Sequence, residues 1–463
     1  MKEYNVLKFG AVADGETLST AAVQRAVDVC AAYGGGKVYF PAGKFVLSTV
    51  FLKSNVTVEI QEGAEILGSL NFYDYCPHEP VDYPLYQDAS HSFFHTSMFV
   101  AIDCENIAIV GKGKIDMRSI WDEDNVRELV HRGPKTIALK YCKNVEISGL
   151  EINNTTDLAV YFAGCENVDI YDIKMRVYID GISPDNCKNV RIHDCDIETG
   201  DDGIVFKSSY TLNCLGICED IHVWDCKVKS RCNALKFGTE TNGGFKNILM
   251  ENIEVYETRI SGIAIESVDG AVIDGITIRN VNMRNVNAPI FIYLGSRMRG
   301  PAGREIGSIS NVTLENITAT GPYEPYYVIP WRYSSFVAND NYQEPWNFGK
   351  ADDRYFEDAE WGRNSVWQMS CNVCGLTGRP LKNITLKNVH LELDGGVKEY
   401  ETEVPDNVQC YPEVYVYGRT LPSKGIYFRH IDGLTLDNVT VKTYRPDVRE
   451  DFVFDDVNGL KNK

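Results

Sequence analysis

The feature that most constrains this chain is a short pattern that recurs at nearly constant spacing. It consists of a cysteine, any residue, an asparagine, and then two hydrophobic residues separated by one position. Clear copies begin at Cys104, Cys142, Cys165 and Cys187, a variant begins at Cys218, and weaker copies start at Asn55, Asn247, Asn311 and Asn383. Asn144 and Asn167 are 23 residues apart, and Asn167 and Asn189 are 22 apart. A fixed period of about 20–50 residues indicates stacked repeats.

Each copy reads as a short strand with alternating side chains, followed by a turn and a second short strand such as Leu150-Glu-Ile152. A leucine-rich repeat has a similar period, but it requires regularly spaced leucines. Here the returning segments are rich in valine and isoleucine and are β-like. We therefore predict an all-β fold, a right-handed parallel β-helix with a short N-terminal capping helix.

The 14 cysteines first suggest a disulfide scaffold. Their positions within the repeat indicate instead an inward ladder, in which free cysteine packs as a small hydrophobe. The repeat asparagines are expected to stack in the same way and to hydrogen-bond at the turns. Cys371-Asn-Val-Cys374 has the spacing of a redox or half-metal motif, but no second such pair accompanies it.

Two segments depart from the repeat. Residues 18–33 show helical periodicity, and a helix there would cover the open end of the first coil, where exposed strand edges invite aggregation. Residues 322–367 interrupt the repeat and are dense in aromatic side chains. This insertion either walls a sugar site or packs as a flap on the solenoid. We predict one domain over residues 1–463, because a solenoid grows without needing a new core.

The formal net charge of −19 argues against nucleic acids and anionic membrane surfaces as partners. An anionic substrate would need a local basic patch. No apolar stretch approaches the length that spans a bilayer. We expect a cytoplasmic location, although a secreted protein whose signal had been removed would look the same, and the sequence does not predict an oligomeric state.

Three aspartates carry the strongest chemical signal. Asp180 and Asp202 are 22 residues apart, the local repeat length, so they should lie on neighbouring coils about 5 Å apart. Asp201 adjoins Asp202. Crowded carboxylates raise one another's pKa, and a protonated acid beside an ionised one is what glycoside hydrolysis requires. From spacing alone, a Ca²⁺ site and solvated turn residues remain open alternatives.

The stretch from Asp180-Gly-Ile through Thr199-Gly-Asp201-Asp202-Gly-Ile to Lys207-Ser208 resembles glycoside hydrolase family 28, the polygalacturonase family. The family signature contains Asn-Thr-Asp-Gly, Gly-Asp-Asp, Gly-His-Gly and Arg-Ile-Lys. Agreement extends to Phe9-Gly-Ala, to Gly34-Gly-Gly-Lys-Val-Tyr-Phe-Pro-Ala-Gly43 and to Gly111-Lys-Gly-Lys-Ile-Asp116. The resemblance covers roughly residues 5 to 320.

The resemblance implies an inverting mechanism. Asp201 would be the general acid, and Asp180 and Asp202 would hold and deprotonate the water. An inverting pair is expected to lie about 6.5–9.5 Å apart to admit that water. No metal and no cofactor would be needed.

Departures from the signature bear on the substrate. Tyr178-Ile179 replaces Asn-Thr, Asn233 stands in the histidine slot, and Ala264-Ile265-Glu266 replaces Arg-Ile-Lys. The cations that would bind a galacturonate carboxylate are thus missing from their usual positions. Either other cations replace them or the sugar is not galacturonic acid. Candidate substrate-binding residues are Asn233, Lys236, Glu266, Lys207, Arg231 and Arg259.

We therefore expect a glycoside hydrolase that acts on pectin-derived or related plant oligosaccharides or polysaccharides, in an exo-acting, galacturonidase-like manner. Two rivals remain. A polysaccharide lyase on the same fold would need Ca²⁺ and a basic proton abstractor. A non-catalytic glycan-binding solenoid would bind sugars without turnover, and the intact aspartate triad argues against it.

Overall fold

A computed structural model describes residues 2–120, 132–321, 323, 369–400, 402–405, 412–417 and 420–463. The chain divides into two units, Met1–Val228 (the N-terminal unit) and Lys229–Lys463 (the C-terminal unit). In each of them, short strands pair in parallel with the strands of the next coil. The predicted parallel β-helix with a short N-terminal helix is confirmed. The extent of a single domain over 1–463 stays a prediction.

The N-terminal unit contains α-helices Thr20–Ala32 and Ala89–Ser92 and 3₁₀ helices Val6–Phe9 and Phe72–Asp74. Its strands are Glu3–Asn5, Asp14–Leu18, Gly36–Phe40, Gly43–Leu47, Val50–Phe51, Val56–Ile60, Ala64–Gly68, Ser97–Ile102, Glu105–Gly111, Lys114–Asp116, Lys135–Lys140, Lys143–Ser148, Glu151–Asn153, Val160–Ala163, Glu166–Tyr171, Lys174–Val177, Ile182–Asp185, Lys188–His193, Asp196–Thr199, Ile204–Ser208 and Ile217–Trp224. The strand Lys227–Ser230 contains the boundary itself.

The strands of the C-terminal unit are Asn233–Thr241, Gly244–Ser267, Val272–Leu294, Ser308–Thr320, Cys371–Cys374, Leu381–Gly395, Ser423–Arg445, Glu450–Asn458 and Lys461–Asn462. Several are long because the chain stays hydrogen-bonded around the bends between the faces of a coil.

Columns of β-branched residues form the core of the N-terminal unit. Ile107, Val145, Val168 and Val190 lie opposite one another on successive coils, and all are buried. Valine and isoleucine suit this position because their branched side chains pack well on a pleated surface. The repeat period therefore sets the register of the coils.

The same stacking continues in the C-terminal unit, where Ile276, Val312, Ile384 and Leu434 form one buried column. Asn311 and Asn383 are neighbours in their ladder although 72 residues separate them in sequence. The register thus survives a long intervening segment. The predicted aromatic insertion over 322–367 lies outside the described residues, apart from the buried Tyr323.

The repeat asparagines form the predicted ladder. Asn144 donates its side-chain N–H to Asn106 at 2.9 Å, Asn167 donates to Asn144 at 3.0 Å, and Asn189 donates to Asn167 at 2.7 Å. Each of these residues has a φ near +55°, between 53° and 58°. Asparagine tolerates this left-handed conformation better than other residues with a side chain. The position therefore selects asparagine through both its backbone and its side chain.

The repeat cysteines are buried free thiols, as predicted. Cys104, Cys142, Cys165 and Cys187 all lie in the core, and the cysteines in the described part of the chain are free. Burial also raises the pKa of Cys371 to about 12 and raises that of Cys374. A thiol that is buried and hard to ionise is a poor metal ligand or nucleophile. We therefore interpret Cys371 and Cys374 as core residues that contribute to packing.

The helix Thr20–Ala32 buries Val23 and Val27 against the first coil, and Gln24 exchanges two hydrogen bonds with the backbone of Phe51 at 2.8 and 3.0 Å. The helix predicted for 18–33 is therefore present and fixed to the first coil. Within the described ranges, no helix combines the length and the apolar character needed to cross a bilayer.

Candidate active site

The three predicted aspartates come together in the N-terminal unit. Asp180 precedes the strand Ile182–Asp185, and Asp201 and Asp202 precede the strand Ile204–Ser208. Because Ile182 lies opposite Ile204 on the next coil, Asp180 and Asp202 occupy equivalent positions. One carboxylate oxygen from each of the three residues lies within 4.8 Å of the others. The prediction that the repeat length brings these acids together is confirmed.

Backbone hydrogen bonds fix the cluster. The backbone N–H of Asp202 donates to Oδ1 of Asp180 at 3.1 Å, and the N–H of Gly181 donates to the carbonyl of Asp202 at 3.0 Å. A Cβ at Gly181 would lie 2.5 Å from the carbonyl oxygen of Gly203, so only glycine fits there. The glycine after Asp180 thus allows the two acidic segments to approach closely.

The three acids differ in exposure. Asp180 and Asp202 are buried, each 4% exposed, whereas Asp201 is half-buried. Burial and the charges of Asp201 and Asp202 raise the pKa of Asp180 to about 8, while the ammonium of Lys207 opposes that rise. Asp180 therefore keeps its proton to a higher pH than an ordinary aspartate does.

The separation of about 6.5–9.5 Å that we expected for an inverting pair is a distance between carboxyl groups, whereas the 4.8 Å of the cluster joins its nearest oxygens. Spacing alone therefore does not decide the stereochemical outcome. The same crowding would also suit a cation, and in the described part of the chain no other group of three acidic, histidine or cysteine side chains is close enough to hold one.

The N-terminal unit contains further buried titratable residues that the sequence did not indicate. Asp185 is fully buried and accepts hydrogen bonds from Tyr161 at 2.9 Å and from the backbone of Ser209 at 2.8 Å. Burial raises its pKa, although these hydrogen bonds oppose the rise. Its position five residues after Asp180 in the repeat could have indicated it.

His91 lies close enough for a positive charge on its ring to lower the pKa of both Asp180 and Asp185. Its Nδ1 lies 2.7 Å from Oδ1 of Asp88, and its ring contacts that of Tyr161 edge-on. His91 lies in the short helix Ala89–Ser92, outside the repeat. No register argument could have placed it.

The predicted substrate-binding residues fall into separate groups. Lys207 belongs to the N-terminal unit, with its Nζ 4.0 Å from Oδ2 of Asp180. Asn233, Lys236 and Glu266 come together in the C-terminal unit, where they meet Glu413, a residue that the sequence did not single out. Glu413 follows residues outside the described ranges and belongs to no repeat.

In the buried group of the C-terminal unit, one lysine lies beside two glutamates. The Nζ of Lys236 lies 2.5 Å from Oε1 of Glu413 and 3.8 Å from Oε1 of Glu266. Asn233 donates to both Glu413 oxygens at 3.1 and 3.3 Å. All four residues are at most 4% exposed. The charge of Lys236 is thus committed to carboxylates of the protein itself.

The two candidate arginines lie in the C-terminal unit. Arg231 is half-buried and precedes the strand Asn233–Thr241, while Arg259 is buried within the strand Gly244–Ser267. The side chain of Asn287 donates to the backbone carbonyl of Arg259 at 3.0 Å. A role for either guanidinium in binding substrate stays a prediction.

Similarity to solved structures supports the architecture. An exopolygalacturonase from Thermotoga maritima aligns with 84% of this chain and 87% of its own at a TM-score of 0.66 and 22% identity. A family 28 exopolygalacturonase from Yersinia enterocolitica aligns with 98% of this chain and 78% of its own at a TM-score of 0.68 and 20% identity. At this identity the likeness shows the fold.

Sequence similarity points to one family. A probable polygalacturonase from Vitis vinifera is 29% identical over 281 residues, which is 57% of this chain and 56% of that protein. An exo-poly-alpha-D-galacturonosidase from Dickeya chrysanthemi is 26% identical over 306 residues, 54% of this chain and 50% of that protein. The chain therefore spans about half the length of these curated relatives. The model of glycosyl hydrolases family 28 matches residues 30–328, more than half of the sequence, and the chain belongs to that family.

Proposed function

We propose that this protein hydrolyses glycosidic bonds in pectin-derived or related plant oligosaccharides. The observation that carries the proposal is the aspartate cluster, in which the oxygens lie within 4.8 Å and the pKa of Asp180 is raised to about 8. Such a cluster provides a proton for the leaving oxygen and a carboxylate for the attacking water. Family membership supports the same chemistry.

The roles follow from exposure and from the family resemblance. Asp201 is the most exposed of the three acids, so it is the one that a leaving-group oxygen reaches, and we assign it as general acid. Asp180 and Asp202 hold and deprotonate the water. The pKa of Asp180 is the one that is raised, to about 8, and Asp180 lies within reach of Asp201, so a proton can be passed between these two carboxyl groups.

We further propose exo-action on a galacturonide-like end. Three of the curated relatives carry exo-acting names, and they come from Dickeya chrysanthemi, Arabidopsis thaliana and Zea mays. Exo-action predicts release of small sugars from the start of the reaction, whereas endo-action predicts a ladder of intermediate lengths. A cytoplasmic location remains a proposal that cell fractionation tests.

The deciding experiment compares wild type with Asp201→Asn on a panel of pectic oligosaccharides, with reducing ends measured over time. We expect a loss of at least about 100-fold in kcat, within the range for removing a general acid. Asp225→Asn is the matched control, because Asp225 is exposed on another coil and its left-handed backbone, with φ 52°, also suits asparagine. Equal activity in wild type and Asp201→Asn would refute the acid assignment.

The same assay separates the rival functions. Unsaturated products and loss of activity with a chelator would indicate a lyase that needs Ca²⁺. Binding of oligosaccharides with no product from any variant would indicate a glycan-binding solenoid.

A further inference from the structure

Lys207 is a buried cation next to the aspartate cluster. It lies on the strand Ile204–Ser208, and its Nζ is 4.0 Å from Oδ2 of Asp180. Both side chains are 5% exposed. A buried ammonium is costly unless a carboxylate or other acceptor compensates it. The carboxylate of Asp180 supplies part of that compensation for Lys207.

The two oxygens of Asp180 have different neighbours. Oδ1 accepts the backbone N–H of Asp202 at 3.1 Å, and Oδ2 faces Lys207. The charged or titratable groups that act on Asp180 are Asp201 and Asp202, which oppose its ionisation, and Lys207 and His91, which favour it. Lys207 is the stronger of the two favourable influences.

We propose that Lys207 is a positioning residue of the aspartate cluster, whose ammonium orients Asp180 and allows it to carry negative charge beside Asp202 while the water is deprotonated. The inference rests on the proposed hydrolysis and replaces the expectation that Lys207 binds a substrate carboxylate. It assigns the lysine to the catalytic step, not to substrate recognition.

The two roles predict different kinetics. A positioning lysine acts on every accepted substrate, so Lys207→Met should lower kcat by about 30-fold or more and leave KM within about threefold. The acidic limb of the pH–rate profile should move to higher pH by about one unit or more, because the loss of the cation raises the pKa of Asp180 further. Lys207→Arg should recover most of the rate and the profile. A substrate ligand would instead raise KM for uronate substrates and leave the profile in place.

A measurement without substrate makes the test independent of the proposed function. Asp180 has a pKa raised far above its value in an unfolded chain, so its contribution to stability is present at low pH and is lost as pH rises toward 8. Lys207 limits that loss. The stability difference between wild type and Lys207→Met should therefore grow from pH 5 to pH 9, as measured by thermal unfolding.

Asp180→Asn removes the titrating group and supplies the control background. There, Lys207→Met should change the unfolding temperature by the same amount at both pH values. If the difference grows equally in both backgrounds, or if Lys207→Met keeps the wild-type pH–rate profile, Lys207 does not act on Asp180. Lys207→Gln replaces the methionine variant if that variant does not fold. Should wild type hydrolyse no glycan in the panel, the proposed function fails while the unfolding comparison still decides the role of Lys207.

Discussion

Lys236 lies beside two buried carboxylates in the C-terminal unit. Its replacement should therefore lower the free energy of unfolding. The perturbation is Lys236→Met, which keeps the length of the side chain and removes its charge. Oε1 of Glu413 at 2.5 Å and Oε1 of Glu266 at 3.8 Å would then lose their cation. The two glutamate side chains are 5% and 0% exposed, so water cannot replace it.

The magnitude follows from this burial. Removing one partner of a buried ion pair costs about 3–5 kcal/mol, because the remaining charge stays buried without compensation. Two carboxylates remain here, which places Lys236→Met toward the upper end of that range. Adding Glu413→Gln removes one of the two charges and keeps a side chain that can still bond Asn233. The double variant should therefore recover about 2 kcal/mol or more.

Urea unfolding at pH 7 measures both effects as differences in the free energy of unfolding. Lys246→Met is the matched control, because Lys246 is exposed in the same unit and should change stability by less than about 0.5 kcal/mol. If Lys236→Met is no more destabilising than Lys246→Met, Lys236 does not stabilise the two buried glutamates. Additive effects in the double variant would likewise refute the coupling between Lys236 and Glu413.

Two further predictions concern the ladder and the chemistry. Asn167→Gly should lower the free energy of unfolding by about 2 kcal/mol, since Asn167 makes two ladder hydrogen bonds. Asn167→Ala should lower it by about 1 kcal/mol more, because alanine is strained at φ 58°. Urea unfolding measures both losses, and an alanine variant as stable as the glycine variant would contradict the backbone argument. Proton NMR of freshly formed product should show the anomer opposite to the substrate linkage, at a rate that a chelator leaves unchanged; a retained anomer would instead make one aspartate a nucleophile.

The repeat explains why much of the fold and the aspartate cluster could be predicted. A constant period fixes the register, so the spacing of 22 residues between Asp180 and Asp202 already places them on neighbouring coils. The asparagine ladder follows from the same period. The sequence did not indicate that Gly181 is required by the close approach of the next coil, although its place in the motif agrees with that role.

Residues outside the repeat could not be placed in this way. His91 reaches the aspartates from a short helix in a connecting segment, and Glu413 meets Lys236 across 177 residues of sequence. Neither has a counterpart on a neighbouring coil that would reveal its position. Lys236 was identified as a candidate ligand because it carries a charge close to the family motif. Only the structure shows that the side chain of Lys236 already lies beside two glutamates of the protein itself.

These contacts narrow the question of which sugar the protein accepts. Lys207 faces Asp180, Lys236 is bound between glutamates, and Glu266 is fully buried. A uronate carboxylate needs a cation, and a guanidinium binds it best through two parallel hydrogen bonds. Arg231 and Arg259 are the two guanidiniums among the candidates named from the sequence, and their role in binding substrate stays a prediction. If activity on galacturonides survived the replacement of both arginines, the protein would have to recognise its sugar through hydroxyl groups or through residues that the sequence did not indicate.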